Sequence, residues 1–275
     1  MAQENKTQTD RFEFGKNWTS FLKTLNPARI ETAEESLLEM LELPNLKGKS
    51  FLDIGCGSGL FSLAAKRLAA ASICSFDYDE QAVGCAGRLR AEYAPGDPDW
   101  KIERGDALDS EYLSGLGQFD IVYSYGVLHH TGDLWRALSN VCVTVKPAGK
   151  LYVAIYNDQG FASKAWLSIK KFYNRLPEWA RPVFTALFVP GAEAPYVVKN
   201  IMQGKLPWSH WSTYYSRRGM SRMHDITDWV GGLPFEVAGP DKVFNFFRAR
   251  GYRLDRMITC GGGHDNNQFV FTRMS

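Results

Sequence analysis

The sequence lacks the cysteine pattern of a disulfide-stabilised or zinc-binding protein. Its five cysteines are odd in number, lie far apart and form no C-x-x-C pair; they are Cys56, Cys74, Cys85, Cys142 and Cys260. Disulfide frameworks and structural zinc sites need cysteines that can pair at suitable spacings. We therefore expect reduced thiols and no structural zinc.

Long apolar segments are also missing. The longest strongly apolar stretch, residues 183–189, lies between Pro182 and Pro190, whereas a helix that spans a bilayer needs about 20 apolar residues. The first residues, MAQENKTQTDR, are polar and contain no apolar stretch of the kind found in secretory signals. We therefore expect no transmembrane helix and a cytoplasmic protein.

A strong excess of one charge is absent as well. The 275 residues include 32 Lys plus Arg and 30 Asp plus Glu, so the net charge is +2, and 45% of the chain is apolar. A nucleic-acid-binding protein would carry a strongly basic domain or a recognition module. The composition is that of a folded globular protein and predicts no nucleic-acid partner.

Short apolar runs alternate with helix-length stretches between positions 50 and 156. The β-rich runs are SFLDIG, SICSFD, KIERGD, FDIVYSY and KLYVAIY. This alternation predicts a doubly wound, mostly parallel α/β sheet that binds ligands outside the carboxyl ends of its strands. Two further runs, at 252–259 and 268–273, predict a terminal hairpin. The expected fold is a seven-stranded Rossmann-like sheet with an antiparallel last strand.

Composition divides the chain into four parts. Residues 1–45 predict a helical extension, 46–156 the α/β core, 157–232 an insertion, and 233–275 a return to the core with its last helix and hairpin. The insertion holds five of the eight tryptophans and has ten Lys plus Arg against five Asp plus Glu. We interpret it as a helical, aromatic lid over the site.

The segment FLDIGCGSG, residues 51–59, carries the sharpest chemical signal. A strand with Asp53 near its end runs into three alternate glycines and then an Ala/Leu-rich helix, so a ligand can approach the backbone at a helix N-terminus. The dinucleotide fingerprint requires Gly or Ala at its sixth position, where this chain has Leu60. An acidic strand end instead suits a ligand with a positive amino group, such as the methionine part of S-adenosylmethionine.

Together with the strands that follow, this segment resembles class I S-adenosylmethionine-dependent methyltransferases, including small-molecule and ubiquinone-pathway O-methyltransferases. The later stretches that agree in order and spacing are SFDYD, RGDALD, FDIVYSYGVLHHTGD and VKPAGKLYVAIY. The resemblance covers residues 50–156 closely and 240–273 loosely. It implies methyl transfer with S-adenosylmethionine as donor and S-adenosylhomocysteine as product.

The resemblance also implies a role for each donor motif. Asp77, at the end of the second strand, would take the ribose hydroxyls, and Asp106, after the third, would accept from the adenine amino group. Asp79 is expected to cap a helix, and Tyr78 fits packing as well as adenine contact. The implied donor-binding residues are Asp53, Gly55, Cys56, Gly57, Gly59, Asp77, Tyr78, Asp106, Ala107, Ser124 and Tyr125.

Two histidines are the candidate catalytic residues. Methyl transfer is an in-line displacement, so positioning dominates and a base is optional. His129 and His130 follow the fourth strand on the substrate side, and an imidazole pKa of about 6.5 suits proton removal at neutral pH. Hydrogen bonding within their own turn is the alternative. Near the N-terminus, Phe14 and Trp18 fit either packing or closure over the donor.

Aromatic and basic side chains of the insertion are candidates for acceptor binding, because they can stack on a ring or bind an anion. The predicted acceptor contacts are Trp211, Tyr214, Tyr215, Arg218 and His224. Packing and a solvated basic face explain the same residues equally well. His224, Asp225 and Asp228 would also suit a metal ion, but a helix start capped by Asp225 is the simpler interpretation, and we predict no metal.

These features predict a methyltransferase that acts on an oxygen, or less readily a nitrogen or carbon, of a small anionic or aromatic acceptor. Two alternatives stay open. One is an enzyme that attacks another carbon of the sulfonium; the other is a membrane-associated O-methyltransferase of a quinone precursor, with residues 181–202 against anionic lipid. The sequence leaves the oligomeric state open.

Overall fold

A computed structural model describes residues 14–209, 226, 229–261 and 265–275. Seven strands form one sheet in the order β3-β2-β1-β4-β5-β7-β6. The strands are β1 Ser50–Ile54, β2 Ser72–Asp77, β3 Trp100–Arg104, β4 Phe119–Tyr125, β5 Val145–Tyr156, β6 Tyr252–Ile258 and β7 Asn266–Arg273. Neighbours among the first five strands pair in parallel, and β7 is antiparallel to both β5 and β6. The predicted Rossmann-like sheet with an antiparallel last strand is confirmed.

The described helices connect and extend this sheet. They are α1 Phe14–Leu22, α2 Pro27–Leu41, α3 Leu60–Arg67, α4 Glu80–Tyr93, α5 Ser110–Gly115, α6 Leu134–Val141, α7 Phe161–Arg175, α8 Arg181–Met202 and α9 Pro240–Arg248. Polar residues cap several of them, because their side-chain oxygens accept from the otherwise unpaired first N–H groups. Asn26 caps α2, Asp109 caps α5, and Asp79 caps α4 as the sequence predicted.

Two apolar cores lie on opposite faces of the sheet. Successive residues of β1 alternate between them, with Leu52 packed into one core and Phe51 into the other, as the two-residue period of a strand requires. The first core includes Phe247 of α9, and the second includes Leu37 of α2 and Leu63 of α3. A strand that is buried on both faces fixes the position of the residues at its carboxyl end.

The predicted lid, residues 157–232, follows β5 directly. A third, smaller cluster joins α7 and α8 to the segment before α9 through Tyr173, Phe184 and Val230. The lid therefore packs through aromatic and aliphatic contacts of its own. In the part of the chain that the structure describes, no helix has the length and apolar character needed to cross a bilayer.

Candidate active site

A glycine loop between β1 and α3 forms the first part of the site. Gly55 and Gly57 have φ angles of 72° and 54°, which favour glycine over other residues. A Cβ atom on Gly55 would lie 2.4 Å from Val127, and one on Gly57 would lie 2.7 Å from the ring of Trp18. Gly59 is the N-cap of α3 and has no side chain with which to cap it. The N–H groups of Gly55, Gly57 and Gly59 donate within the protein, so the N–H groups that a ligand could use are those of the first turn of α3.

Asp77, at the carboxyl end of β2, lies directly beside this loop. Its Oδ2 atom accepts a hydrogen bond from the N–H of Gly57 at 2.9 Å, and its Oδ1 atom accepts from the N–H of Asp79 at 3.0 Å. Burial raises the pKa of the Asp77 carboxyl to about 6, and the backbone hydrogen bonds limit that rise. The ionised carboxylate is poorly solvated and would therefore gain from hydroxyl donors on a ligand.

Asp53 is enclosed at the end of β1, with only 2% of its surface exposed. Its Oδ2 atom accepts from the Ser62 hydroxyl at 2.5 Å, and Ser62 and Ser75 are hydrogen bonded at 2.7 Å. Trp100 donates from Nε1 to the Ser75 hydroxyl at 2.9 Å, which extends the network to β3. Burial is the main reason that the pKa of Asp53 rises to about 7, and the negative charge of Asp77 adds to the rise.

The residues that follow β3 lie next to Asp77, because the N–H of Gly105 donates to the Asp77 carbonyl at 3.0 Å. Asp106 accepts at Oδ1 from the N–H of Leu108 at 2.9 Å, which closes a tight turn. Ala107 is buried, whereas Tyr78 is 37% exposed. The carboxyl ends of β2 and β3 thus place two acidic side chains on the same edge of the sheet.

Ser124 and Tyr125 continue the site at the end of β4. Ser124 is fully buried and donates to the carbonyl of Ile54 at 3.2 Å, so it links the ends of β1 and β4. Tyr125 stacks with Tyr123, whose ring centroid is 6.4 Å away. Cys56 is buried as well, and burial raises the pKa of its thiol well above the ordinary value. These residues add shape and packing, and none of them adds charge at neutral pH.

His129 lies in the short helical turn after β4 and is completely buried. Its Nδ1 atom accepts from the backbone N–H of Tyr156 at 3.3 Å, so a neutral ring carries its proton on Nε2. That Nε2 atom has no hydrogen-bond partner among the described residues. Burial is the main cause that lowers the pKa of His129 well below 6.5, with contributions from His130 and Lys170. The ring is therefore neutral and presents a buried, unpaired N–H donor.

His130 is held by the segment that leads from the lid back to α9. Its Nδ1 atom lies 2.6 Å from the carbonyl oxygen of Pro234, to which it donates, and burial lowers its pKa to about 3. The same segment binds the turn twice more, since Glu236 donates its N–H to the His129 carbonyl and accepts at Oε2 from the Leu134 N–H, both at 2.9 Å. These contacts fix both imidazoles.

A buried lysine of the lid lies next to the histidines. Lys170, on α7, is fully buried, donates to the carbonyl of Trp229 and lies 4.6 Å from the ring centroid of Phe235. Its ammonium is also 4.8 Å from the centroid of Trp229 and 5.9 Å from that of Tyr156. The charge of Lys170 helps to lower the pKa of both histidines. This side of the site is thus aromatic and positively charged.

The structure brings the predicted donor residues together along the carboxyl ends of β1 to β4 and places the histidine pair beside them. Their functions stay predictions. The five predicted acceptor contacts lie outside the described residues, and so do Asp225 and Asp228. Among the residues that are described, no group of three or more His, Cys, Asp or Glu side chains could hold a metal ion.

Three residues of the histidine side were missed by the sequence analysis: Tyr156, Lys170 and Phe235. A signal for Lys170 was present, because Trp166 and Tyr173 stand four residues before it and three after it, and residues at that spacing share one helix face. A lysine between two aromatic residues on the packed face of a helix indicates a buried cation. Phe235 had no comparable signal, since it lies in an irregular segment.

Comparison with known proteins finds a methyltransferase domain within this chain. The family described as "Methyltransferase domain" matches residues 52–153. The ubiquinone biosynthesis O-methyltransferase of Coxiella burnetii is 31% identical over 137 residues, which are 50% of this chain and 53% of that protein. The enzyme of the same name from Rhizobium rhizogenes is 36% identical over 167 residues, 56% of this chain and 64% of that protein. The chain thus spans less than two thirds of these relatives.

A solved structure resembles the chain over most of its length. Magnesium protoporphyrin IX methyltransferase from Synechocystis PCC 6803, solved with bound SAH, superposes with a TM-score of 0.55 at 14% sequence identity. The superposition covers 94% of this chain and 93% of the other. At this identity the likeness concerns the fold alone.

Proposed function

Because residues 52–153 match a methyltransferase domain, we propose that the chain is a class I S-adenosylmethionine-dependent methyltransferase that methylates an oxygen of a small acceptor. The donor is S-adenosylmethionine, and the product is S-adenosylhomocysteine. In this function the chain has the four parts expected from the sequence: extension 1–45, core 46–156, lid 157–232 and return 233–275. The acceptor is held between the histidine turn and the lid.

The groups of the glycine loop fit this donor. Burial disfavours the ionised form of Asp77, whose carboxylate is hydrogen bonded to the loop. Hydrogen bonds from two ribose hydroxyls would stabilise that ionised form. Asp106 and Ala107 would hold the adenine, and the uncapped start of α3 would face the methionine part. When bound, the donor supplies a methyl group on a sulfonium, which an acceptor lone pair displaces.

One observation favours oxygen as the methylated atom: the buried Nε2–H of His129 has no hydrogen-bond partner among the residues that the structure describes. An unsatisfied buried donor costs about 1–3 kcal/mol, which a ligand acceptor atom would recover. An oxygen has two lone pairs, so it can accept from His129 and attack the methyl carbon at the same time. An amine nitrogen has one lone pair and cannot do both.

In this arrangement the two histidines position the acceptor. A general base works best with a pKa near the operating pH, and burial lowers the pKa of both rings far below that range. His129 orients the oxygen, and His130 is fixed to Pro234 so that it holds the turn in place. Lys170 and the rings around it favour an anionic or aromatic acceptor.

The outer face of α8 supports a membrane-proximal acceptor. Most of its exposed side chains are apolar, for example Val183, Leu187 and Ile201, which are 64%, 70% and 59% exposed. The polar residues Thr185, Glu193 and Asn200 face inward instead. Basic residues stand at both ends of the helix and in the turn beyond it: Arg181, Lys199 and Lys205. We propose that residues 181–202 rest on an anionic lipid surface and that the protein acts in the cytoplasm, in keeping with five cysteines whose spacing shows no disulfide pattern.

The test of methyl transfer uses purified protein, methyl-labelled S-adenosylmethionine and an extract of the source cells. We expect label in a small-molecule fraction together with S-adenosylhomocysteine, and an O-methyl group in the labelled product by mass spectrometry. Enzyme-dependent methylthioadenosine without transferred label would instead mean attack on another sulfonium carbon. An N-methyl product would contradict the assignment of His129.

A further inference from the structure

Helix α1 is docked on the donor side of the molecule by one carboxylate with two partners. Asp79 caps α4 by accepting at Oδ1 from the N–H of Gln81 at 2.9 Å. Its second oxygen, Oδ2, accepts from the N–H of Gly15 in α1 at 2.8 Å. A Cβ on Gly15 would lie 2.4 Å from the Cβ of Gln81, so the glycine allows the two helices to meet. A further contact, 3.3 Å between Thr19 Oγ1 and Cys85 Sγ, holds α1 one turn later.

This docking places Trp18 against the glycine loop. The positions nearest to a Cβ on Gly57 are Cε2, Cζ2 and Nε1 of Trp18, at 2.7, 2.9 and 2.9 Å. The edge of the indole that carries the N–H therefore faces the loop. Trp18 is half-buried, and within the described chain no group accepts from its Nε1. An indole N–H usually finds a partner where it is removed from water.

Trp18 and Asp77 flank the same glycine. Asp77 accepts from the N–H of Gly57, while Trp18 covers the position of the missing side chain. If Asp77 holds the ribose, the methionine part of the donor extends along the loop toward the start of α3, whose N-cap, Gly59, has no side chain. A carboxylate is stabilised at such a helix start, and the indole N–H lies at that loop.

We propose that Trp18 is a donor-binding residue that donates from Nε1 to the carboxylate of the methionine part, and that Asp79 holds it there by docking α1. The inference rests on the proposed function, since it requires the glycine loop to bind S-adenosylmethionine. It adds a contact from outside the 52–153 domain, so that the amino-acid end of the donor is recognised by the N-terminal helix.

The test compares two ligands that differ only in that end. S-adenosylhomocysteine carries the amino-acid part, and 5′-methylthioadenosine lacks it, while both contain adenine, ribose and sulfur. The variant Trp18→Phe keeps an aromatic ring and removes the N–H. By calorimetric titration we expect its affinity for S-adenosylhomocysteine to be about tenfold lower than that of wild type, as for the loss of a hydrogen bond to a charged group. Binding of 5′-methylthioadenosine should stay within about twofold of wild type.

A second variant tests the docking without changing Trp18. Asp79→Asn keeps an oxygen to cap α4, but its amide NH2 cannot accept from Gly15. We expect the same selective loss of affinity for S-adenosylhomocysteine, and faster tryptic cleavage at Lys23, directly after α1. Asp109→Asn is the matched control, because Asp109 caps α5 through Glu111 and Tyr112 in the same way, and it should change neither ligand.

The outcomes separate this inference from the proposed function. Equal weakening of both ligands in Trp18→Phe would mean contact with the adenosine part and would overturn the carboxylate assignment. Unchanged binding of both ligands would overturn any donor contact by Trp18 and leave the methyltransferase proposal standing. A wild-type protein that binds neither ligand would overturn both proposals.

Discussion

The Nδ1 atom of His129 accepts a hydrogen bond from the backbone N–H of Tyr156, and the two rings lie with centroids 3.8 Å apart. This relationship fixes both the orientation of the imidazole and its tautomer, because the ring nitrogen that accepts cannot carry the proton. The backbone of β5 therefore leaves Nε2–H as the group through which His129 can donate a hydrogen bond. The residue is well placed to orient an acceptor and poorly suited to remove its proton.

The first prediction separates these two roles. His129→Gln retains an N–H donor near the position of Nε2, whereas His129→Phe keeps the ring and removes the donor. We expect His129→Phe to lower kcat by about tenfold or more, His129→Gln to retain more activity, and both to bind S-adenosylhomocysteine as wild type does. Labelled turnover with the active extract fraction measures the first effect and calorimetry the second. Equal activity of all three proteins would contradict the positioning role.

Lys170 gives the second prediction. Lys170→Met preserves the aliphatic stem but leaves the carbonyl of Trp229 without this donor, which costs about 1–3 kcal/mol for a buried group. We expect a Tm lower by a few degrees and reduced transfer at unchanged S-adenosylhomocysteine affinity. Lys171→Met is the control, since Lys171 is the next residue on α7 and its side chain is exposed. A variant with normal transfer and a normal Tm would show that Lys170 neither holds the lid nor shapes the site.

The placement of the predicted donor residues at strand ends could be read from the sequence, and Lys170 shows why the surroundings of the two histidines could not. Asp77 and Asp79 stand within a few residues of a strand end, so strand periodicity and helix-cap chemistry locate them without tertiary information. Lys170 and Phe235 reach the site from segments far apart in the chain. Their positions depend on how α7 packs against the return segment, and local spacing does not encode that contact.

A third prediction concerns the pH dependence of donor binding. The pKa of Asp77 is raised to about 6 in the free protein, and ribose hydroxyls donate to its ionised form. Binding should therefore release a proton, so the affinity for S-adenosylhomocysteine should rise as the pH passes through about 6 and level off above it. Asp77→Asn should bind more weakly and lose this dependence. An unchanged pH profile in Asp77→Asn would refute the assignment of Asp77 to the ribose.

Asp53 provides a fourth prediction, on stability. Its pKa is raised from 3.8 to about 7 by burial, so between those values the folded state binds more protons than the unfolded state. The contribution of Asp53 to stability is fully present below 3.8 and is lost as the pH rises through about 7. The two histidines have the opposite effect on stability. Their pKa values are lowered in the folded state, so the unfolded state binds more protons and the protein loses stability as the pH falls below 6.5.

A difference measurement separates Asp53 from the histidines. Asp53→Asn resembles the protonated carboxyl at every pH, so its free energy of unfolding minus that of wild type should increase between about pH 4 and pH 8. Denaturant unfolding at several pH values gives both quantities. The histidine contribution cancels in the difference because both proteins contain it. A difference that is constant over this range would mean that Asp53 is not a buried acid of raised pKa.

The fifth prediction tests the outer face of α8, where most exposed side chains are apolar while Thr185, Glu193 and Asn200 face inward. Such an inverted pattern favours burial of about 5–10 Å of the apolar face in a headgroup region, strengthened by basic residues on anionic lipid. We expect sedimentation with vesicles that contain phosphatidylglycerol, weaker sedimentation with pure phosphatidylcholine, and loss of binding in the double variant Leu187→Glu with Ile201→Glu. Val143→Glu, at an exposed apolar residue outside the lid, should bind as wild type does. Unchanged sedimentation of the double variant would show that α8 does not contact the lipid. The proposal of a membrane-proximal acceptor would then be wrong, and a water-soluble acceptor would be favoured.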